Sequence, residues 1–252
     1  MPYYPQIKLL QLHIPKTGGT SIENTTRQAL GVPFFDWKQS EQDYKSPGSK
    51  KEWQTYNIYG YFEKAGEITP LQHLTYKQIL DGGHISKDMI NWILVSVRNP
   101  FSRLVSCYHW QRRYPGKQNN MTFREFVNWV KATNSNKPEA KPIDHRCYQH
   151  LLQQSQFLGD LNPKTTKLHI IKFETLNEDY ERFFNSQVRA VYPKFKSSQL
   201  RNDNITDNSN GLPDWKTNYM LEDGKTLDKE LIDLVYNLYE QDFKLFGYTK
   251  DI

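Results

Sequence analysis

A near-continuous apolar run at residues 90–97, Ile-Asn-Trp-Ile-Leu-Val-Ser-Val, restricts the fold more than any other segment of this chain. A strand with so little polar alternation is buried on both faces, which is typical of a parallel sheet covered by helices. The step Arg98-Asn99-Pro100 ends the run, and a helix with proline near its first turn is predicted over 100–112. The run therefore predicts an α/β fold with a central parallel strand.

The other predicted elements continue this alternation of strands and helices. Strands are predicted at 7–14, 90–97 and 168–173, and helices at 21–30, 100–112, 123–131 and 231–246. Such alternation is typical of a parallel sheet flanked by helices. Because we find neither an internal repeat nor a clear boundary, we expect a single domain over 1–252.

The composition of the chain excludes several classes of protein. Hydrophobic residues make up 37% and aromatic residues 14%, which argues against disorder. No apolar stretch is long enough to span a membrane, and the N-terminal residues lack the pattern of a secretory signal. The 33 Lys and Arg outnumber the 28 Asp and Glu only mildly, which suits an anionic ligand and gives no reason to expect nucleic acid.

The two cysteines, Cys107 and Cys147, indicate the redox state of the compartment in which the protein works. They are too few for a disulfide framework, and neither lies in a Cys-x-x-Cys pair that would indicate zinc. We expect free thiols in a reducing compartment, and therefore a cytoplasmic protein.

The turn between the first strand and the first helix, Pro15-Lys16-Thr17-Gly18-Gly19-Thr20-Ser21, is typical of an anion-binding loop. Its consecutive glycines let backbone N–H groups converge on one ligand, and the helix N-terminus adds unpaired donors. Thr17, Thr20 and Ser21 add hydroxyls, and Lys16 adds a cation. The alternative is an ordinary turn in which Thr20 or Ser21 caps the helix. Because the lysine precedes the glycines, the spacing differs from that of ATP and GTP hydrolases.

A second candidate cluster follows the central strand. Arg98 lies where the strand ends, and Ser106 lies two helical turns farther on, within reach of the same volume. Ligands of open α/β sheets bind at this carboxyl edge. An arginine offers a planar fork to phosphate oxygens, and a serine offers a neutral donor. The alternative is that Arg98 is simply an exposed cation at a strand end.

Together the two segments resemble the sulfotransferases that use 3′-phosphoadenosine-5′-phosphosulfate (PAPS). Residues 15–21 are similar to that family's 5′-phosphosulfate loop, and Arg98-x-Pro-x-x-Arg-x-x-Ser106 is similar to its 3′-phosphate motif. The resemblance is closest to the branch with the heparan sulfate 2-O- and 6-O-sulfotransferases. It continues at 173–176 and 242–248, whereas 32–80 match poorly.

The resemblance implies a three-layer α/β sandwich, P-loop-like and related to nucleotide kinases. It also implies PAPS as donor, adenosine 3′,5′-bisphosphate (PAP) as product, and no metal. Lys16 would stabilise the leaving oxygens, and the loop 17–21 would hold the 5′-phosphate. Arg98 and Ser106 would hold the 3′-phosphate, with Arg201 near it.

The resemblance further implies a catalytic histidine, because related carbohydrate enzymes carry one in a Gly-His segment before the central strand. Here that residue is His84, and an imidazole with a pKa near 6.5 suits a base at neutral pH. Gly82 stands where the 2-O enzymes have an additional histidine. The alternative for His84 is a structural hydrogen bond. His145 and His150 could instead face the acceptor, or lie on a solvated helix face.

The expected protein is thus a soluble PAPS-dependent O-sulfotransferase acting on a carbohydrate or a hydroxylated small molecule. Residues 32–80 would form an irregular insertion on the acceptor side. One rival is a nucleotide kinase, which needs a lysine after the glycines and usually magnesium ligands; neither is evident. A second rival is a non-catalytic nucleotide- or glycan-binding protein, against which the presence of both Lys16 and His84 argues.

Overall fold

The structure is a computed structural model that describes most of the chain. It describes residues 2–31, 61–64, 67–70, 73–82, 85–113, 120–133, 136–137, 149–161, 167–195, 199–200 and 214–252, with the backbone alone at 61–64 and 67–70. The chain forms two compact units. The first comprises Met1–Ser96 and Phe157–Asn204, and the second comprises Val97–Gln156 and Ile205–Ile252. The expectation of one domain stays a prediction.

The first unit is organised around a mixed sheet. The strands are β1 (Tyr3–Tyr4), β2 (Leu9–Leu12), β3 (Tyr61–Lys64), β4 (Glu67–Pro70), β5 (Trp92–Val97) and β6 (Leu168–Lys172). The main sheet has the order β1-β2-β5-β6, and β3 and β4 form a separate antiparallel pair. β1 is antiparallel to β2, whereas β2 and β5 are parallel, with Leu9 opposite Trp92.

The predicted central strand is confirmed. In β5 all residues from Ile93 to Val97 are buried, and its neighbour β2 is buried throughout. β5 begins later than predicted because Lys87–Met89 form a 3₁₀ turn that ends at Ile90. The parallel β2–β5 pair, with a helix in the connection between its strands, confirms the α/β fold.

Three helices of the first unit span Gly19–Leu30, Tyr76–Asp81 and Leu176–Phe183. The first begins before the predicted Ser21 because Gly18, in a left-handed conformation, is its N-cap. Ile22 packs against Leu94, Tyr180 and other residues in the core of this unit.

Part of the segment predicted as an irregular insertion, 32–80, is regular. β3, β4 and the Tyr76–Asp81 helix lie within it. Thr75 and Gln78 form a capping box that starts this helix, and the signal for it, Thr-x-x-Gln, is present in the sequence. The placement of this segment on the acceptor side stays a prediction.

The second unit is helical. Its helices include Pro100–Gln111, Phe123–Thr133, Lys229–Leu238 and Glu240–Phe246, which enclose a core rich in aromatic side chains. The prediction of one helix over 231–246 is wrong, because Tyr239 leaves the helical backbone and its hydroxyl donates to the Leu151 carbonyl at 2.9 Å. Of the described helices, none is both long and apolar enough to cross a membrane.

Candidate functional site

The loop after β2 holds a lysine in an unfavourable backbone conformation. Lys16 has φ 68° and Gly18 has φ 81°, so both lie in the left-handed region. This region costs a glycine nothing but costs other residues roughly 1–2 kcal/mol. Such strain persists where the surrounding structure enforces it, and it is concentrated at functional sites. Because Lys8 shares this conformation with φ 48°, the predicted anion loop is a candidate site only when the conformation of Lys16 is taken together with the helix N-terminus that follows it.

The helix that follows the loop presents backbone donors. The amides of Ser21 and Ile22 donate to the Gly18 carbonyl at 3.1 and 3.3 Å, which begins the helical ladder. Those of Gly19 and Thr20 come before it, so helix geometry leaves them without an intrahelical acceptor. Gly18 has no side chain with which to cap them. The loop thus combines amide donors, the positive end of the helix dipole and the cation of Lys16.

Both glycines of the loop are also required by packing. A Cβ atom on Gly19 would lie 2.5 Å from Cδ2 of His13, and one on Gly18 would lie 2.8 Å from Cδ2 of Leu176. An ordinary strand–helix turn with close packing would therefore explain the glycines alone. What favours the anion-binding interpretation is the combination of the Lys16 cation with the backbone donors of the helix N-terminus, because a left-handed φ also occurs at Lys8, in the turn before β2.

Replacing Gly19 with alanine is expected to lower the free energy of unfolding by about 1–3 kcal/mol, the usual effect of overpacking, because the new methyl group overlaps the His13 ring. Urea unfolding measures this loss. Gly82→Ala is the matched control, since Gly82 has φ −72°, which alanine adopts without strain. Equal stability of the Gly19→Ala variant and wild type would contradict the close packing at this position.

The hydroxyl of Thr17 is turned into the protein, which differs from the sequence expectation of a hydroxyl offered to the ligand. Thr17 is 0% exposed, and its Oγ1 donates to the Ile14 carbonyl at 2.9 Å. Its one proton is thereby used, so Ser96 on β5 is the donor in the 2.8 Å bond between the two hydroxyls. What Thr17 can offer a ligand is its backbone N–H.

Buried polar residues support the loop from β2 and β1. Gln11 on β2 donates from Nε2 to the Gly19 carbonyl at 2.8 Å, and its Oε1 accepts from the Tyr4 hydroxyl at 3.3 Å. These bonds tie the first residue of the helix to two strands of the sheet. Sequence reasoning missed Gln11, because a lone polar residue in an apolar strand gives no indication of its partner.

His13 is a buried residue that directly follows β2. Its Nδ1 lies 3.7 Å from the carboxylate of Glu23, which also accepts from Arg27 at 3.0 Å. His73 donates from Nδ1 to the His13 carbonyl at 2.9 Å, and the two rings meet edge to face. This buried group fixes the ring on which Gly19 packs.

Arg98, in the second unit, is held at both its backbone and its side chain. Its backbone N–H and C=O both pair with the side-chain amide of Gln154, each at 2.8 Å. Its Nε donates to Ser102 Oγ at 2.9 Å. Arg98 is half-buried, so it is not the fully exposed cation of the alternative interpretation.

The helix after Arg98 brings Ser106 to the same side. Asn99 caps the helix by accepting from the Phe101 amide at 2.9 Å, and Pro100 occupies the first turn. Ser102 and Ser106 are four residues apart and therefore share a helix face. Ser102 contacts the Arg98 guanidinium, and the assignment of Arg98 and Ser106 to one volume stays a prediction.

The other arginine of the motif, Arg103, serves the scaffold. It is buried, and its guanidinium donates to the carbonyls of Leu152 and His150 at 2.9 and 3.1 Å. The Cys107 thiol donates to the same His150 carbonyl at 3.0 Å, and Cys107 is a free thiol as expected. The structure thus gives Arg103 a role in holding the backbone at 150–152.

The predicted histidines and the late arginine are only partly described. His150 is buried, and its ring stacks on Trp110 at 3.8 Å, so the expectation of a solvated helix face is wrong. His84, His145 and Arg201 lie outside the described residues. Their roles stay predictions. Over the described ranges, no group of three or more His, Cys, Asp or Glu side chains is arranged to hold a metal ion.

Comparisons with known proteins give one finding. The family model described as the sulfotransferase family matches residues 3–249. Searches of curated proteins and of solved structures find no match. The matched residues include both the loop at 15–21 and the motif at 98–106.

Proposed function

The chain belongs to the sulfotransferase family, and on that premise we propose that it transfers a sulfuryl group from PAPS to a hydroxyl group of a polar acceptor. The observation that supports this most is the position of Lys16, two residues before Gly18, the N-cap of the Gly19–Leu30 helix. A cation and backbone donors gathered at one point suit a leaving group that gains negative charge.

The proposed reaction is an in-line displacement at sulfur. The acceptor oxygen forms a bond to sulfur while the bond between sulfur and the 5′-phosphate oxygen breaks, and PAP leaves with that electron pair. The acceptor proton passes to a base, which we assign to His84. Catalysis then needs alignment of the two oxygens and stabilisation of the leaving phosphate, for which no redox step is required.

Each group of the donor is assigned to particular residues. Lys16 and the amides at 17–21 take the 5′-phosphate and the leaving oxygen. Arg98 and Ser106 take the 3′-phosphate, supported by the Ser102 contact that fixes the Arg98 side chain, and Arg201 is placed near the same phosphate. The acceptor is a carbohydrate or a hydroxylated small molecule.

Replacing Arg98 with alanine is expected to weaken PAP binding by ~1.5–3 kcal/mol, the usual contribution of a hydrogen bond to a charged group. The variant should also lose most of the preference for PAP over adenosine 5′-monophosphate, which lacks the 3′-phosphate. Isothermal calorimetry with both nucleotides measures this. Arg113→Ala, which removes an exposed arginine near the end of the same helix, is the control and should bind both nucleotides as wild type does. An undiminished preference in the Arg98→Ala variant would remove Arg98 from the 3′-phosphate site.

The transfer itself is tested with sulfur-labelled PAPS and a panel of oligosaccharides and hydroxylated small molecules. We expect label in at least one hydroxylated acceptor, together with an equal amount of PAP. A parallel set with γ-labelled ATP and magnesium tests the kinase alternative. Transfer from ATP to these acceptors, with none from PAPS, would contradict the proposed reaction.

A further inference from the structure

We propose that Gln154 and Asp242 are positioning residues for nucleotide binding: they fix the backbone of Arg98 so that its guanidinium is held ready for the 3′-phosphate. The inference rests on the proposed function, which assigns Arg98 to that phosphate. It gives a role to two residues that lie outside the Arg98–Ser106 motif and to which the family match assigns none.

Gln154 contacts the backbone of Arg98 on both sides of its Cα atom. The amide of Gln154 accepts from the Arg98 N–H at 2.8 Å and donates to the Arg98 carbonyl at 2.8 Å. Gln154 is 0% exposed. One side chain thus makes both of the bonds that a neighbouring strand would make, immediately after β5 has ended at Val97. The backbone on both sides of the Arg98 Cα is fixed, and so is the direction in which the side chain leaves it.

Asp242 in turn contacts the backbone at 154–155. The carboxylate of Asp242 is 0% exposed, and its two oxygens accept from the amides of Gln154 and Ser155 at 2.7 and 2.8 Å. A buried carboxylate is tolerated only with such partners, because its desolvation is costly. Both oxygens are used as acceptors, so an asparagine would set its NH₂ group against one of the backbone N–H groups.

The segment 150–155 is also held at its N-terminal end. Arg103 donates to the carbonyls of His150 and Leu152, while Asp242 accepts from the amides of Gln154 and Ser155. Residues 150–155 are therefore fixed by one buried cation and one buried anion. Gln154 is the member of this segment that bonds to Arg98.

Such support matters for binding because an arginine side chain has much conformational freedom to lose. Holding it in the bound geometry beforehand lowers the entropic cost of binding a phosphate. Ser102 restrains the guanidinium at Nε, and Gln154 restrains the backbone from which the side chain starts. Loss of Gln154 should therefore weaken the binding of nucleotides that carry a 3′-phosphate more than the binding of those that lack it.

The test is a double-mutant cycle measured by calorimetry with PAP and with adenosine 5′-monophosphate. Gln154→Met keeps the approximate volume of the side chain and removes its amide. We expect PAP affinity to fall about fivefold to tenfold, on the scale of one or two net hydrogen bonds, and the affinity for the monophosphate to stay within about twofold. In the Arg98→Ala background the same substitution should change PAP affinity by no more than about twofold, because the guanidinium that it positions is already gone.

Gln153→Met is the matched control, since Gln153 also donates to a backbone carbonyl, that of Leu238 at 3.0 Å, but is not the residue that bonds to Arg98. It should leave the ratio of PAP affinity to adenosine 5′-monophosphate affinity unchanged. Asp242→Asn should lower this ratio, as Gln154→Met does. Where Gln154→Met does not fold, Gln154→Glu replaces it, since it keeps the acceptor for the Arg98 N–H and sets an oxygen against the Arg98 carbonyl.

The possible outcomes separate this inference from the proposed function. If Arg98→Ala lowers the ratio of affinities but folded variants of Gln154 and Asp242 keep the wild-type ratio, the positioning role is wrong and the proposed function stands. If Arg98→Ala itself keeps the wild-type ratio, the assignment of Arg98 to the 3′-phosphate is wrong. Additive effects of Gln154→Met and Arg98→Ala on PAP binding would also contradict positioning, because they would show a general structural loss.

Discussion

Replacing Lys16 with alanine is expected to lower turnover roughly 10²–10³-fold, on the scale of losing one preorganised donor to the developing charge. Lys16 lies two residues before Gly18, the N-cap of the Gly19–Leu30 helix, and charge grows on the leaving 5′-phosphate as the bond to sulfur breaks. Initial rates with labelled PAPS measure the loss. Turnover of the variant within a few-fold of wild type would remove Lys16 from the mechanism.

The backbone conformation of Lys16 provides a second variant and a control. Because φ is 68°, Lys16→Gly relieves strain of roughly 1–2 kcal/mol, partly offset by the extra entropy of the unfolded chain. It should be about as stable as wild type yet lose as much turnover as Lys16→Ala. Lys8→Ala is the control. Lys8 is also a lysine with a left-handed φ, 48°, but it is exposed and lies just before β2, whereas the loop follows the other end of that strand. It should keep wild-type turnover.

Replacing His84 with asparagine is expected to lower turnover ~10²–10⁴-fold and to leave PAP affinity within about a factor of two. A base that removes only the acceptor proton has no part in holding the nucleotide. The wild-type rate should also fall at acidic pH, because an imidazole with a pKa near 6.5 becomes protonated there and can no longer accept a proton. Rates measured across pH, with PAP calorimetry on the same preparations, test both expectations.

Three further histidines provide a control and two alternatives for the role of His84. His109→Asn, in the Pro100–Gln111 helix, is the control and should keep wild-type turnover. If His84→Asn retained turnover, His145 would be the next residue to replace. His150 is the weaker alternative, because its ring is buried against Trp110.

The sheet and most helices could be predicted from the sequence because burial leaves a pattern in it. β5 was predictable since a strand buried on both faces needs apolar residues at nearly every position. The break at Tyr239 was not, because the apolar spacing continues on both sides of it. At this position the Tyr239 hydroxyl donates to the carbonyl of Leu151, which lies 88 residues earlier.

In the candidate site, too, some residues could be predicted from the sequence and others could not. Lys16 and Arg98 could be proposed as site residues from the sequence, because each follows a strand at a position where ligands bind in α/β folds. Their supports could not. Ser96 is 79 residues from Thr17, and Gln154 is 56 residues from Arg98. A polar residue with so distant a partner cannot be told from an ordinary surface residue until the chain is folded.

The donor nucleotide is tested most directly by thermal unfolding with PAP, and separately with ATP and magnesium. At a PAP concentration of ~100 times Kd, binding adds about 2.7 kcal/mol to the stability of the folded protein, which for a chain of this size raises Tm by about 5–10 °C. We expect a shift of this size with PAP and a much smaller one with ATP and magnesium at equal concentration. A shift with ATP and magnesium that equals or exceeds the shift with PAP would contradict a PAPS-dependent sulfotransferase.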